Sequence, residues 1–493
     1  MDIKELREQI NEIDEEMVDL FLKRMEVSAG VAAYKKERGL PVFDAERERG
    51  HLQELQEHAS SPMDEYVLEF FQNVMRLSRA FQKTRNGRFG LLGEKLGHSY
   101  SPQIHEMAAG YRYDLIEVER DQLETFMKDN DFDGFNVTIP YKKAVIPYLD
   151  EITPQAEKIG SVNTVVRLKD GRMRGDNTDY TGFAYMVERA GVPVNDKKCM
   201  ILGNGGVAPT IRAVLQDLGA AEILTVSRKG ELNFENLYDH DDVQILINAT
   251  PVGMYPHNGE SLADLSKLPC LEGVFDVIYN PHRTQLILDA EKRGIPCSGG
   301  LSMLVSQGIA AAERFLDRKI PEERVEEIIE KLEAQMMNIA LIAMPGAGKT
   351  SCGKQLEKLT GRKLVDIDAE IVKKIGCSIP EFFAEHGEDA FRRVETEVLR
   401  EFSGKSGLII ATGGGVVTRE ENYPLLHQNS VIVFLDREDM TSLSKSGRPV
   451  SQSTPLEKLI EERMPKYRGW SDITIHCVNA YENAKMIIKE LNL

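Results

Sequence analysis

The chain has 493 residues, more than one hydrophobic core usually organises, so two to four domains are expected. Its 42% hydrophobic and 28% charged residues are those of a globular protein and exclude a disordered one. A formal net charge of -18 argues against nucleic acid or an anionic membrane as the main partner, while leaving room for local basic sites that take anionic metabolites.

The six cysteines are scattered with no C-x-x-C pair, which fits free thiols in a reducing cytosol. MDIKELREQI is charged from its second residue and does not read as a signal peptide, and no apolar run reaches membrane-spanning length. A cytoplasmic protein acting on small molecules is expected.

Residues 3–85 carry only helical periodicity. Leu6, Ile10, Ile13, Met17 and Leu20, then Val27, Val31 and Tyr34, form the seam of a long helix. The same step puts Arg24 on the seam, where a guanidinium is costly unless something anionic meets it. Lys35 lies roughly 20° away on the helical wheel and about 16 Å along the axis, whereas Arg7 is roughly 100° off that line and faces elsewhere. Gly39, Leu40 and Pro41 break the helix, and DAERERGHLQEL and MDEYVLEFFQNVMRLSRAFQ supply two more. Three helices this elongated bury little apolar surface alone, so a helical homodimer is expected. On residue types alone, a dimerisation module with solvated cations stands beside a binding pocket.

LREQINEIDEEMVDLFLKRMEVSAGVAAYKKERGLPVFDAERE, within residues 3–85, resembles the all-helical chorismate mutase family. The resemblance implies a pocket of Arg7, Arg24, Lys35, Asp44, Arg47, Glu48, Ser78 and Gln82, with Arg7 reaching into a partner chain's pocket. It also implies roles for Lys35 and Gln82 in stabilising negative charge on the breaking ether oxygen. The rival reading keeps the helices as a non-catalytic module that dimerises or senses chorismate or prephenate.

From Phe89 to about Asn280, RFGLLG, DLIEVE, GFNVTI, KCMILG, EILTVS, QILINAT and GVFDVIY alternate with helical stretches, which argues a parallel α/β sheet. GNGGVA (203–208) follows a strand and opens a helix, the setting in which glycines let backbone amides approach a pyrophosphate. A plain strand-to-helix turn is the alternative. The next strand ends in Ser227, Arg228 and Lys229 instead of an acid, which favours a ribose 2′-phosphate and hence NADP. The clusters GHSYSP (97–102), NVTIPYK (136–142), GDNTD (175–179), NATPVGM (248–254), DVIYNP (276–281) and GGLSMLVSQ (299–307) together resemble shikimate dehydrogenase. The resemblance implies Ser99, Ser101, Asn136, Thr138, Asn163, Tyr279 and Gln307 as substrate ligands and Lys142 with Asp179 as the catalytic pair. It places NADP(H) against Gly203, Gly205, Gly206, Ala208, Ser227, Arg228, Lys229, Thr250, Gly300 and Met303.

MMNIALIAMPGAGKT then begins a new strand, with Met336 and Met337 reading as the start of a once-separate protein. AMPGAGKT matches the phosphate-binding G-x-x-x-x-G-K-[ST] except at Ala343, where alanine serves if φ stays negative. Gly346 and Gly348 flank the phosphates, Lys349 reaches the β/γ-phosphates, and Thr350 faces Mg²⁺. With KLVDID, FRRVE (391–395), TGGG (412–415), GRPV (447–450) and Arg463 four residues before Tyr467, the stretch 338–493 resembles shikimate kinase. The resemblance implies Asp368, Arg392, Gly414, Gly415 and Arg463 on shikimate, Glu395 orienting Arg392, Asp366 near Mg²⁺, and Arg448 on a lid closing over ATP. GRPV in place of the usual R-P-L, and a short lid TSLSKSG, bear on closure and turnover.

The expected architecture is therefore a multidomain one. An all-α three-helix unit covers 1–86. An α/β substrate part (87–185 and 305–335) and a Rossmann NADP part (186–304) follow. An α/β P-loop kinase with a parallel sheet covers 336–493.

Overall fold

The computed structural model describes residues 2–38, 44–58, 63–85, 87–97, 99–437 and 456–493, with the side chains of residues 36, 37, 45, 80, 82–85 and 456 left aside. The chain divides into two compact units, Met1–Gly182 with Val305–Ile328, and Phe183–Leu304 with Ile329–Leu493.

The first unit begins with three helices, α1 (Ile3–Arg38), α2 (Ala45–His58) and α3 (Asp64–Arg85). Both α1 and α2 pack on α3. The expected break at Gly39, Leu40 and Pro41 lies outside the described residues. What the helices bury is small: Met25, Ala32, Val74 and Met75, with Ser28 and Ser78. The N-terminal part of the seam is bare in the single chain, with Ile10 and Ile13 each 56% exposed and Leu20 64% exposed.

The sheet of this unit joins β1 (Arg88–Gly93), β2 (Arg112–Glu117), β3 (Gly134–Val137), β4 (Glu151–Ile152), β5 (Thr164–Arg167) and β6 (Met173–Asp176) in the order β2-β1-β3-β5-β6-β4. Its β1, β2 and β3 are parallel, but β5 runs antiparallel to both β3 and β6. The parallel α/β reading holds for β1, β2 and β3, and β5 and β6 are strands that the sequence runs did not mark. Leu168 and Arg172 close a tight turn through Gly171 (φ 89°), so β5 and β6 form a hairpin.

The second unit holds two five-stranded sheets. One joins β7 (Lys198–Leu202), β8 (Glu222–Val226), β9 (Ile245–Asn248), β10 (Gly273–Asp276) and β11 (Cys297–Ser298) in the order β11-β10-β9-β7-β8. The other joins β12 (Asn338–Ile342), β13 (Leu364–Asp366), β14 (Ile409–Ala411), β15 (Ser430–Asp436) and β16 (Ile473–His476) in the order β13-β14-β12-β15-β16. Every pairing in both is parallel, and the central strands are buried along their length, so they read as unbroken apolar runs. In such sheets ligands gather at the strands' carboxyl ends, and the loops after β7 and β12 lie there.

The core of the first unit holds a buried histidine. His105 is buried in an aromatic cluster, stacked on Tyr113 with centroids 4.0 Å apart and bonded to the Tyr111 hydroxyl. Burial pushes its pKa from 6.5 down to about 3, against a hydrogen bond to Asn136 that favours the charged ring. The folded state thus holds His105 neutral, and its contribution to stability is present above pH 6.5 and lost as pH falls toward about 3. Between pH 6.5 and 5 this one group removes up to about 2 kcal/mol. Replacing it by glutamine should flatten the fall in stability over that interval, read as urea-induced loss of amide protection in β1. An unchanged slope would refute the neutral buried imidazole.

Candidate active sites

Three groups of side chains come together. In the helical group, Arg24, Lys35, Asp44, Arg47, Glu48 and Ser78 line a cavity of about 230 Å³ between α1, α2 and α3. Arg24 donates to the Ser78 hydroxyl, and Asp44 caps α2 by accepting from the Arg47 amide at 3.1 Å. Burial lowers the pKa of Arg24, and Glu48 draws it back up. Lys35 is lowered by burial too, with Asp44 and Glu48 opposing that and Arg47 adding to it. Arg24, Lys35 and Arg47, with Asp44 and Glu48 beside them, therefore face one space suited to a dianion. Arg7 is exposed and does not line this cavity. The Gln82 side chain lies outside the described residues.

The sheet of the first unit carries the second group. Lys142 Nζ donates to Asp179 Oδ2 at 2.6 Å, with both side chains largely withdrawn from solvent. Beside them is a buried amide network. Asn136 Nδ2 donates to Thr164 Oγ1 (3.0 Å) and to the Asn163 carbonyl (3.2 Å), and its Oδ1 accepts from the Tyr113 hydroxyl (2.8 Å). Asn163 Oδ1 in turn accepts from the Thr178 amide at 2.6 Å, fixing the strand β6 end one residue before Asp179. Thr138 is anchored through its amide to the Leu92 carbonyl, and Ser99 Oγ accepts from the Ser101 amide at 3.2 Å. Gln307 is half-buried on the helix Leu301–Leu316.

The nucleotide half of this reading lies in the second unit. β7 runs into Gly203, whose φ of 101° and 2.6 Å approach of any added Cβ to Thr250 leave glycine as the residue that fits. Gly205 and Gly206 face open space, and the helix Ala208–Asp217 starts directly behind them. Arg228 and Lys229 are exposed just after β8, with Ser227 beside them. Thr250 is fixed by Asn248, whose Oδ1 accepts from its amide (3.0 Å) and hydroxyl (2.7 Å). Gly300 admits no side chain, since a Cβ there would sit 2.1 Å from the Val277 carbonyl oxygen, and Met303 is buried nearby on the same segment. An open glycine turn at a helix start, with two cations where an acid would repel a phosphate, fits NADP. Tyr279 is on the loop that follows β10.

The third group lines the phosphate loop. Pro345, Gly346, Gly348, Lys349 and Thr350 share a cavity of about 280 Å³ with Asp366, Asp368, Arg392, Glu395, 412–415 and Arg463. Gly346 (φ 88°) and Gly348 (φ 95°) turn the loop, while Ala343 keeps a φ that is not positive, so the condition for alanine there is met. Lys349 Nζ is held by the carbonyls of Ala343 (2.9 Å) and Met344 (3.4 Å). Thr350 Oγ1 donates to Asp366 Oδ2 at 2.6 Å, an all-oxygen pair of the kind a hard cation takes, and this fits Mg²⁺. Arg392 Nη1 donates to Glu395 Oε2 at 2.7 Å, and Arg463 Nη1 to the Gly414 carbonyl at 2.9 Å. Burial pushes the Glu395 carboxyl up, against the pull of Arg392. Arg448 lies outside the described residues.

Residues 6–83 match the family model for chorismate mutase type II, 91–165 that for the shikimate dehydrogenase substrate binding domain, and 345–492 that for shikimate kinase. The shikimate dehydrogenase (NADP(+)) of Clostridium perfringens strain 13 is 37% identical over 268 residues, covering 50% of this chain and 98% of that protein. The chain belongs to the shikimate dehydrogenase family. The corresponding protein of Methanosphaera stadtmanae is 37% identical over 256 residues, 46% of this chain and 90% of that one. A solved chorismate mutase/shikimate 5-dehydrogenase fusion protein from Clostridium acetobutylicum shares 37% identity over 50% of this chain and 97% of its own, with a TM-score of 0.47.

This shikimate dehydrogenase is thus flanked by a chorismate mutase and a shikimate kinase, and the fusion is a multifunctional enzyme of the shikimate pathway. Among the described residues, no helix is long and apolar enough to cross a membrane. Several residues at the sites escape motif reading. Arg79 pairs with Glu48 in the mutase cavity, and Tyr113 holds Asn136 in the dehydrogenase. Glu388 accepts from Arg392 at 3.1 Å, and the Tyr467 hydroxyl donates to the Gly414 carbonyl in the kinase. Only Tyr467 has a sequence signal, its fixed spacing from Arg463. The wall of Ile379, Phe383 and Phe391 was also missed, because Gly387 (φ 77°) kinks the helix Ile379–Ser403 and swings its first part over the cavity.

Gly415 gives a test of this geometry. A Cβ there would lie 1.9 Å from Arg392 Nη1, and Arg392 is tethered by Glu395 and Glu388, so alanine must displace the guanidinium. Gly415→Ala should raise the kinase KM for shikimate at least ~10-fold and leave dehydrogenase kinetics alone, measured by coupled ADP release and NADP reduction. An unchanged KM would remove Arg392 from the binding site.

Proposed function

We propose that the dehydrogenase reduces 3-dehydroshikimate to shikimate, that the kinase phosphorylates this product at its 3-hydroxyl, and that the N-terminal helices rearrange chorismate to prephenate as a homodimer in the cytoplasm. One observation carries the reading: Arg392, Arg463 and Asp368 line the same cavity as Lys349 and Thr350, so carboxylate grip, base and phosphate grip share one space.

When bound, NADPH supplies the hydride and MgATP the phosphoryl group. In the dehydrogenase, Lys142 gives the proton to the oxygen that becomes the hydroxyl, and Asp179 keeps that ammonium charged and aimed. Ser99, Ser101, Asn136, Thr138, Asn163, Tyr279 and Gln307 orient the ring through neutral donors and acceptors, the chemistry a polyol requires. In the kinase, Arg392 and Arg463 clamp the substrate carboxylate, Gly414 and Gly415 pass it closely, and Asp368 takes the proton of the attacking hydroxyl. Lys349 stabilises charge on the transferred group, and Thr350 and Asp366 hold the magnesium. Arg448 closes over the nucleotide.

In the mutase the reaction needs no covalent catalyst, only cations that hold the two carboxylates in a reactive conformer. Arg24, Arg47 and Lys35 supply them, with Asp44, Glu48 and Ser78 holding those cations in place and Lys35 and Gln82 on the ether oxygen. A second copy completes this cavity. The exposed apolar seam from Leu6 to Leu20 needs a partner helix, and Arg7 projects from the same stretch.

Incubation of the full chain with 3-dehydroshikimate, NADPH and MgATP should yield shikimate 3-phosphate, identified by mass. Lys349→Ala should stop the sequence at shikimate. Lys142→Ala should lower dehydrogenase kcat by ~10²–10⁴ while KM changes little; equal losses in affinity and rate would contradict the proton-transfer role. For the mutase, Lys35→Ala should abolish conversion of chorismate to prephenate, and sedimentation should show a dimer at assay concentration. A wild-type chain that binds chorismate without converting it would leave the helices as a sensor.

A further inference from the structure

Within the second unit, the dehydrogenase's nucleotide part and the kinase meet along a junction that neither chemistry requires. Two dehydrogenase loops take part, residues 254–258 and 280–284. On the kinase side are residues 425–429, between the helix Asn422–His427 and β15, and Gly404 at the end of the helix Ile379–Ser403.

The contacts are specific. The His282 amide donates to Asn429 Oδ1 (3.2 Å), and the Arg283 amide to the Gln428 carbonyl (2.8 Å). Arg283 Nη1 donates to the His427 carbonyl (3.0 Å), and Asn258 Nδ2 to Gln428 Oε1 (3.0 Å). Gln428 and Asn429 are 2% and 0% exposed, so these are interior contacts. Gly404 makes the same point by what it lacks. Its φ of -75° suits any residue, yet a Cβ there would crowd the Tyr255 ring of the dehydrogenase at 3.0 Å. A side chain at that position is crowded by the neighbouring enzyme and not by the local backbone.

These loops lead into the dehydrogenase site. Thr284 Oγ1 donates to Asp276 Oδ2 (2.7 Å), and Asn248 Nδ2 donates to both Asp276 oxygens (3.1 Å each). Asn248 also holds Thr250, and the Tyr255 amide donates to the Asn280 carbonyl (3.1 Å). Tyr279 is thus bracketed by Asp276, tied to the nucleotide loop, and by His282 and Arg283, tied to the kinase. A loop residue has no ladder of its own, so its position is set by what its neighbours bond to.

We propose that kinase residues 427–429 brace the dehydrogenase loop 276–284, making His282, Arg283 and Asn429 positioning residues for Tyr279 and Thr250. This rests on the dehydrogenase reading of those two residues. The kinase is then part of what gives the dehydrogenase its substrate affinity.

The test uses the full chain. Asn429→Ala removes an acceptor from the kinase side, and Arg283→Met removes a donor from the dehydrogenase side; Arg283→Lys restores a donor. Hydrogen exchange should show the His282 and Arg283 amides protected in the wild type, and the His282 amide exchanging at least ~10-fold faster in Asn429→Ala. Both disrupting variants should raise dehydrogenase KM for 3-dehydroshikimate at least ~5-fold with kcat within about twofold, Arg283→Lys should recover most of it, and kinase kcat in Arg283→Met should stay within about twofold of wild type. Unchanged KM in an active, folded Arg283→Met chain would overturn the brace while sparing the dehydrogenase assignment. A wild-type chain without dehydrogenase activity would sink that assignment and the brace with it.

Discussion

A cation partly withdrawn from water and set near a carboxylate recurs at all three sites. Taking an ammonium or guanidinium out of solvent costs several kcal/mol, and an unpaired one would shed its proton or stay in water. Lys142 has Asp179 at 2.6 Å, Arg392 has Glu395 at 2.7 Å, and Arg24 lies in the field of Glu48. At Lys142 and Arg392 the carboxylate engages one side of the cation directly, whereas Arg24 donates to Ser78 while Glu48 pairs with Arg79. Substrates bearing carboxylates or developing oxyanions meet a charge that is already desolvated, so little reorganisation remains for the reaction itself.

The kinase cavity and the mutase cavity differ in what stands behind them. Arg392 and Arg463 come from helices of the same sheet-bound core, and the TGGG turn lies between them. Parallel sheets buried on both faces give such a core without a partner. The mutase helices have no sheet behind them. Their buried set is a handful of residues, while Ile10, Ile13 and Leu20 remain more than half exposed. A second helical layer is what elongated helices use to bury such a stripe, and it would bring the missing Arg7 with it.

Much of this was legible in the sequence, for a physical reason. Phosphate loops, helix seams and strand-end charges are set by local geometry, so spacing reports them: GNGGVA and GAGKT each sit between a strand and a helix start. What the sequence hid depends on long separations or on a single turn. The β5–β6 hairpin turns on Gly171, and its two four-residue strands are too short to stand out in the sequence. Tyr113 on β2 reaches Asn136 on β3 across the intervening β1, and Glu388 lies one residue past a helix kink that no periodicity marks. The junction residues bond across separations of 144 to 170 positions, so no local pattern records them.

Ala343 shows how a motif can lose a residue and keep its function. The usual glycine there relieves a turn, but this turn begins with a backbone whose φ is not positive, so a methyl group carries no conformational penalty. The methyl is fully buried in the core behind β12, among Ile339, Leu341 and Cys352, and packs where glycine would leave a gap. The group the loop needs from this position is its carbonyl, which accepts from Lys349 Nζ at 2.9 Å and is present in either residue. Gly346 and Gly348 have no such freedom, because their φ values of 88° and 95° are strained for any L side chain. The motif is thus a set of backbone requirements of unequal strictness, and this chain departs from it where the requirement is weakest.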